Sequence, residues 1–200
     1  MPICFGISFT KTLMNQARSL VHIYTDGSIS ISTGAVEMGQ GVNTKILQVA
    51  AKIFSVSPER IKIGTTNTSR IANTSPSAAS ATADLNGKAT QMACNVLLGR
   101  LKQRASEELK TSPEGITIVD EIVFANGVKS DLDWKKLVMM TYMSRISLSE
   151  HSHYSTPEIH YDPKIEKGHP FAYHVYGTAI ITVTIDCLRG IYEFDSVSCS

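Results

Sequence analysis

Small residues, many of them hydroxylated, fill the stretch Asn73-Thr74-Ser75-Pro76-Ser77-Ala78-Ala79-Ser80-Ala81-Thr82-Ala83-Asp84. It leads directly into apolar residues that recur at helical spacing, namely Leu85, Ala89, Met92, Ala93, Val96, Leu97 and Leu101. A helix start exposes unpaired backbone N–H groups and carries partial positive charge. Because small side chains let an anion lie close to those groups, the stretch predicts an anion-binding helix start. A hydroxyl-rich loop with an ordinary helix cap is the alternative.

A second segment has the same organisation. Gly34-Ala35-Val36-Glu37-Met38-Gly39-Gln40-Gly41-Val42-Asn43-Thr44-Lys45 precedes another amphipathic helix pattern. Gly39 and Gly41 flank Gln40, so the backbone can approach a ligand and the Gln40 amide group can face it. Two helix starts of this kind predict one phosphate-bearing ligand held between them.

Several ordered motifs resemble the molybdenum-binding part of xanthine dehydrogenases, within the molybdenum hydroxylase family. They are Glu37-Met38-Gly39-Gln40-Gly41, the run at 73–80, Ala83-Asp84-Leu85-Asn86-Gly87, and Tyr176-Gly177 followed by Ile185-Asp186-Cys187. Residues 5–10, 15–17 and 21–28 agree with the same resemblance, which thus covers nearly the whole chain. Residues 76–80 are similar to the xanthine dehydrogenase branch rather than to aldehyde oxidases.

The resemblance implies molybdopterin, whose dithiolene sulfurs hold the molybdenum, and it therefore implies no metal ligand from the protein. The implied reaction oxidises a purine of the hypoxanthine or xanthine type by inserting water-derived oxygen at a C–H bond. Implied partners are the rest of the large subunit and the 2Fe-2S and FAD domains or subunits, in an oligomeric complete enzyme. The cofactor carries the redox chemistry, and the protein binds, orients and tunes it.

Carried onto this chain, the resemblance implies cofactor contacts from Met38, Gly39, Gln40, Ala79, Ser80, Ala81, Thr82 and Ala83. Ala83 replaces a hydroxyl residue of some relatives, which puts one hydrogen bond in doubt. Implied substrate contacts come from Phe9, Thr10, Ala78 and Ala79, with the Phe9 ring packed against the purine. A core aromatic beside Phe5 is the alternative for Phe9.

The family's catalytic glutamate lies in a Gly-Glu-Pro-Pro loop, and that tetrapeptide does not occur in this chain. No catalytic residue is therefore assigned, and Glu37 lies at a different place in its motif. The sequence predicts a fragment of the molybdopterin-binding region, residues 1–200, that is inactive alone. Two small subdomains of about residues 1–145 and 146–200 are one arrangement. The alternatives are a diverged, cofactor-free structural or interaction module, and an unrelated binder of a phosphate ligand.

Composition restricts the class of protein. Of the 200 residues, 42% are apolar, which is enough for a core, and the net charge of +1 argues against a nucleic-acid or membrane surface. The start of the sequence lacks the basic and apolar regions of a signal peptide, so we expect a cytoplasmic protein with reduced thiols. None of the four cysteines forms a C-x-x-C pair that would indicate zinc or a cluster. His151-Ser152-His153 is predicted to be a solvated loop, with a metal-ligand pair as the alternative.

The predicted fold class is α+β, with antiparallel sheets and helices packed on one face. Helices are predicted at about 43–55, 81–109 and 134–143, and a hairpin is predicted around Asp26-Gly27. A second hairpin is predicted from residues 116–124 and 128–129, around Asn126-Gly127, and residues 147–170 are predicted to form an extended excursion. Residues 171–186 and 191–199 are predicted to pair as strands.

Overall fold

The computed structural model describes residues 2–64 and 66–200, without the side chains of Pro2 and Ala79. The chain forms two compact units. The larger is Leu13–Thr156, and the smaller joins the N-terminal residues up to Thr12 with Pro157–Ser200. These boundaries differ from the division near residue 145 that the sequence suggests.

Strands and helices alternate along the described chain. The strands are β1 (Pro2–Ile7), β2 (Gln16–Ile23), β3 (Ile29–Thr33), β4 (Ile61–Ile63), β5 (Ile116–Val119), β6 (Ile122–Ala125), β7 (Val128–Asp133), β8 (Ser149–Ser155), β9 (His160–Asp162), β10 (Lys167–His169), β11 (Tyr173–Asp186) and β12 (Ile191–Cys199). The helices are α1 (Val42–Phe54), α2 (Ala79–Leu109) and α3 (Trp134–Met143), and the three predicted helices are therefore confirmed.

A four-stranded sheet in the order β4-β3-β2-β8 forms the centre of the larger unit. Strand β2 is antiparallel to β3 and β8, whereas β3 and β4 are parallel. The predicted β2–β3 hairpin is confirmed: Asp26 Oδ1 accepts hydrogen bonds from the Ser28 backbone N–H at 2.9 Å and from the Ser28 hydroxyl at 2.7 Å. Gly27 supplies the left-handed φ of 85° that this turn requires.

Residues 149–155 form strand β8, although the sequence predicts an extended excursion over 147–170. Leu20 lies opposite His151 in the β2–β8 register, so His151 and His153 belong to a strand, with exposed side chains, rather than to a loop. The inner side chains of β8 are polar, and they bond to residues of α2. The Ser152 hydroxyl donates to the Ala89 carbonyl oxygen at 2.5 Å. Within the described residues, no group of three or more His, Cys, Asp or Glu side chains could hold a metal ion.

One face of the sheet packs against helices, which confirms the predicted α+β class. Its buried side chains contact those of α1 and α2 in a single core that includes Val21, Ile29, Ile31, Ile46, Phe54, Leu97 and Leu101. Trp134 at the start of α3 is fully buried, and its indole N–H donates to the Gly27 carbonyl oxygen at 2.8 Å. Its ring lies 5.4 Å from that of Phe54, so α3 is joined to both the hairpin and α1.

Strands β5, β6 and β7 form an antiparallel meander. The predicted hairpin around Asn126-Gly127 is present as β6 and β7, but residues 116–124, predicted as one of its strands, are divided between β5 and β6. Asp120 and Glu121 have left-handed φ angles of 45° and 65°, which reverse the chain between β5 and β6. Glu121 also accepts two hydrogen bonds from Arg60, at 2.6 and 2.7 Å. The turn is therefore held by an ion pair that local sequence patterns do not reveal.

The smaller unit contains a three-stranded sheet in the order β1-β11-β12 and the β9–β10 pair. The long strands β11 and β12 are antiparallel, as the sequence predicts. Large apolar side chains on them are exposed, including Ile185, Phe194 and Tyr176. Among the described residues, we find no helix with the length and apolar character needed to cross a membrane.

Candidate functional site

The two small-residue segments contact each other in the larger unit. The backbone N–H of Val36 donates to the Ser77 hydroxyl oxygen at 2.7 Å. Gly34 lies so close to the Thr74 side chain that an added methyl group would overlap it. The predicted proximity of the segments before α1 and α2 is therefore present in the fold.

The start of α1 is capped by a carboxylate from the preceding loop. Glu37 Oε1 accepts from the backbone N–H groups of Gly39 and Gly41, each at 2.9 Å, and Glu37 Oε2 accepts from that of Asn43 at 3.0 Å. The hydrogen bond from Asn43 contributes most to lowering the pKa of Glu37, followed by that from Gly41. The N–H groups that the sequence offers to a ligand here thus bond to the chain's own carboxylate, and ligand binding at this helix start stays a prediction.

Gln40 also bonds within its own loop. Its Oε1 accepts from the Met38 backbone N–H at 2.6 Å, and its Nε2 donates to the Val36 carbonyl oxygen at 2.9 Å. The side chain therefore shapes its own loop, and its contact with a cofactor stays a prediction. Met38 and Gly39 lie in the same turn, and the Met38 side chain is 65% exposed.

Conformation, rather than space, explains the two glycines of this loop. Gly39 and Gly41 have φ angles of 96° and 75°, in the left-handed region. Apart from the two chain neighbours, no heavy atom of the described residues lies within 4 Å of where a side-chain carbon would stand at either position. Glycine is needed because other residues adopt this backbone at a cost.

The start of α2 differs from that of α1. Among the described side chains, that of its N-cap residue Ala78 forms no cap hydrogen bond, and its first turn contains no acidic residue. Ser80 in that turn is exposed, and Ala81 is half-buried. A long helix whose first turn has no acidic side chain attracts a negatively charged group.

Two of the residues predicted to bind the cofactor beyond Ser80 have other contacts. The Thr82 hydroxyl oxygen accepts from the backbone N–H of Ala78 at 2.6 Å, and Thr82 is only 4% exposed. Ala83 packs against the hydrophobic core. The side chain of Ala79 lies outside the described part of the structure. The backbone of the first turn and the Ser80 hydroxyl thus remain as the accessible groups of this run.

Two buried polar atoms near these segments have no hydrogen-bond partner within the described residues. They are the Thr74 hydroxyl oxygen, beside Gly34, and Asn86 Oδ1, one helical turn after Thr82. Asn86 Nδ2 donates to the Thr82 carbonyl oxygen at 2.9 Å. Buried polar atoms without partners are uncommon and costly unless a ligand or water satisfies them. The Thr74 hydroxyl can donate to an anionic group such as a pterin phosphate, whereas Asn86 Oδ1 can only accept and needs an N–H or O–H donor, such as the pterin ring or water.

The residues predicted to contact substrate fall in different parts of the fold. Phe9 is half-buried and Thr10 is exposed, both after β1 in the smaller unit. Ala78 precedes α2 in the larger unit. Their contact with a substrate remains a prediction. Sequence reasoning missed Glu37 as the cap of α1, although an acid followed by two glycines immediately before a helix is a usable signal.

Comparison with known proteins identifies the family. Residues 1–200 match the family described as the molybdopterin cofactor-binding domain. Xanthine dehydrogenase/oxidase of Mus musculus is 42% identical over 193 residues, and xanthine dehydrogenase of Oryza sativa subsp. japonica is 39% identical over 197. These alignments cover 96% and 98% of this chain but 13% of each relative's length.

Solved structures show the same fold at low sequence identity. A Cu,Mo-CO dehydrogenase superposes with a TM-score of 0.79 at 17% identity, over 100% of this chain and 25% of that one. Quinoline 2-oxidoreductase from Pseudomonas putida 86 gives 0.76 at 19% identity, over 92% of this chain and 23% of that one. With a family match over its full length, the chain belongs to the molybdopterin cofactor-binding domain family.

Proposed function

We propose that this chain forms part of the molybdopterin site of a molybdenum hydroxylase that oxidises purines of the hypoxanthine or xanthine type. The observation that carries the proposal is the uncapped start of α2, in contact with the 34–41 loop through Val36 and Ser77. When bound, the cofactor supplies the redox chemistry that inserts water-derived oxygen at a C–H bond.

The chain's own groups bind the cofactor and orient it. The backbone N–H groups of residues 79–81 and the Ser80 hydroxyl hold the anionic end of the cofactor at the positive end of α2. The turn at Met38, Gly39 and Gln40 lies beside it, with a shape set by its internal hydrogen bonds. In the smaller unit, Phe9 and Thr10 offer a purine an aromatic face and a hydroxyl group. In the larger unit, Ala78 and Ala79 are small residues that suit a substrate contact.

The catalytic base and the electron-transfer groups lie outside the residues assigned here. Because the chain spans 13% of its relatives' length, turnover is a property proposed for the complete protein. Its proposed partners are the remainder of the large subunit and domains or subunits that hold 2Fe-2S clusters and FAD, assembled as an oligomer. A cytoplasmic location is part of the proposal, supported by cysteines that are all free.

Ser80→Asp in the complete protein tests the anion site, with Ser80→Asn as the neutral control of similar size. An acid in the first turn of a helix is stabilising, so the aspartate variant should unfold at the same temperature or higher. Its molybdopterin content should fall about tenfold, because like charges in contact repel by on the order of a few kcal/mol. The asparagine variant should keep most of its cofactor.

The readouts are molybdenum and pterin per subunit after expression in cells that make the cofactor, together with thermal unfolding. Equal cofactor content in the two variants would contradict an anion at this helix start. Wild-type protein without molybdopterin would favour the second candidate, a structural or interaction module that has lost the cofactor. The side chains of Gln40 and Thr82 hydrogen-bond within the chain, and these observations are the reason to test this candidate.

A further inference from the structure

The 36–41 loop closes around a single carboxylate. Glu37 accepts backbone hydrogen bonds from Gly39, Gly41 and Asn43, while Gln40 bridges Met38 and Val36. Successive N–H groups that converge in this way form a nest of the kind that binds anions. Here the nest contains a side chain of the same loop.

The carboxylate also does the work of a helix cap. The N-cap residue of α1 is Gly41, which has no side chain to offer, and the first turn of α1 contains no acid. Glu37 therefore satisfies N–H groups at the start of α1 and places a negative charge near its positive end. An external anion at α1 would have to displace Glu37, whereas the first turn of α2 contains no acidic residue.

We propose that Glu37 is a positioning residue for the cofactor: its carboxylate fills the amide nest before α1, fixes the Met38–Gln40 turn, and directs the cofactor's anionic group to α2. This inference rests on the proposed molybdopterin site. It assigns Glu37 no contact with the cofactor and no proton transfer. Its effect passes through the backbone of the turn.

Three variants of the complete protein test the inference. Glu37→Ala empties the nest, Glu37→Gln keeps the shape without the charge, and Glu59→Gln neutralises an exposed glutamate elsewhere in the larger unit. We expect Glu37→Ala to lower molybdenum and pterin per subunit about fivefold, the size of effect that the loss of a helix cap produces. The cofactor content of Glu37→Gln should lie between that of Glu37→Ala and that of the wild type, and the content of Glu59→Gln should equal that of the wild type.

Chemical rescue separates positioning by a carboxylate from a general loss of stability. Acetate added during cofactor loading can enter the emptied nest, so it should raise the cofactor content of Glu37→Ala and leave that of Glu37→Gln and Glu59→Gln unchanged. If Glu37→Ala does not fold, the cofactor content of Glu37→Gln is compared with that of Glu59→Gln instead. A lower cofactor content is expected only in Glu37→Gln. If the wild-type protein contains the cofactor and the Glu37 variants contain as much of it, the positioning role alone is overturned. Wild-type protein without cofactor would overturn the proposed site as well.

Discussion

Thr74→Val is expected to stabilise the fold and to weaken the site. The Thr74 hydroxyl oxygen is buried without a hydrogen-bond partner in the described residues, beside Gly34. Valine has the same shape and removes this desolvated polar atom, so the free energy of unfolding should rise by about 1 kcal/mol and by no more than roughly 3 kcal/mol. For a chain of this size, 1 kcal/mol corresponds to roughly 2–4 °C in Tm.

Thr90→Val is the matched control. The Thr90 hydroxyl donates to the Asn86 carbonyl oxygen at 2.8 Å and contacts the Ser19 hydroxyl at 3.0 Å. Valine there leaves buried Ser19 without this partner, so the free energy of unfolding should fall by about 1–3 kcal/mol. Urea unfolding followed by circular dichroism measures both variants. A loss of stability in Thr74→Val as large as that in Thr90→Val would refute the argument that the Thr74 hydroxyl is unsatisfied.

The same substitution has an opposite expected effect on function. If the Thr74 hydroxyl is retained for the ligand, Thr74→Val should lower the molybdopterin content of the complete protein while raising its Tm. Opposed changes of this kind are typical of functional sites, where polar groups are kept at the expense of stability. Unchanged cofactor content would remove Thr74 from the site and leave its burial as a packing feature.

Three further predictions concern the larger unit. Hydrogen bonds from Arg60 lower the pKa of Glu121 below the ordinary glutamate value. The ion pair therefore stabilises the fold at a pH above the ordinary glutamate pKa, and this stabilisation is lost as the pH falls through the lower pKa of the folded state. Glu121→Gln should flatten the acid side of a plot of unfolding free energy against pH. Gly41→Ala should cost about 1–2 kcal/mol in urea unfolding because alanine must adopt a φ of 75°, and Gly41→Asn should cost less. Burial raises the pKa of Cys94 to about 12, so iodoacetamide should alkylate exposed Cys4, Cys187 and Cys199 in the native protein before Cys94, as mass spectrometry of peptides would show.

Apolar periodicity was enough to predict the helices and most paired strands. The α1 pattern ends at Ser55, before Pro58, and the α2 pattern ends at Lys110, before Pro113, because proline disfavours a helical residue before it. Strand β8 was missed for a physical reason. Its inner side chains satisfy polar contacts instead of burying apolar surface: Glu150 pairs with Arg100, and Ser152 bonds to Ala89.

The site was predicted in part for a similar reason. Residue types and their order indicate that Gln40 is placed for hydrogen bonding, but they do not say with which partner. A side-chain amide two to four residues from a backbone group can bond within its own loop as readily as to a ligand. The structure assigns the amide group of Gln40 to Met38 and Val36, and the Thr82 hydroxyl to Ala78.

Polar contacts along α2 determine where its N-terminus lies. Apolar side chains would allow a helix of this length to slide along the sheet with little change in buried area, because the hydrophobic effect is not directional. The hydrogen bond between the Thr90 and Ser19 hydroxyls, the one from Ser152 to Ala89, and the ion pair of Arg100 and Glu150 each require one partner at one distance. They fix the register of α2 against β2 and β8, and so they fix the position of its uncapped first turn relative to the 34–41 loop. The buried polar face of α2 thereby links the packing of the larger unit to the placement of the proposed anion site.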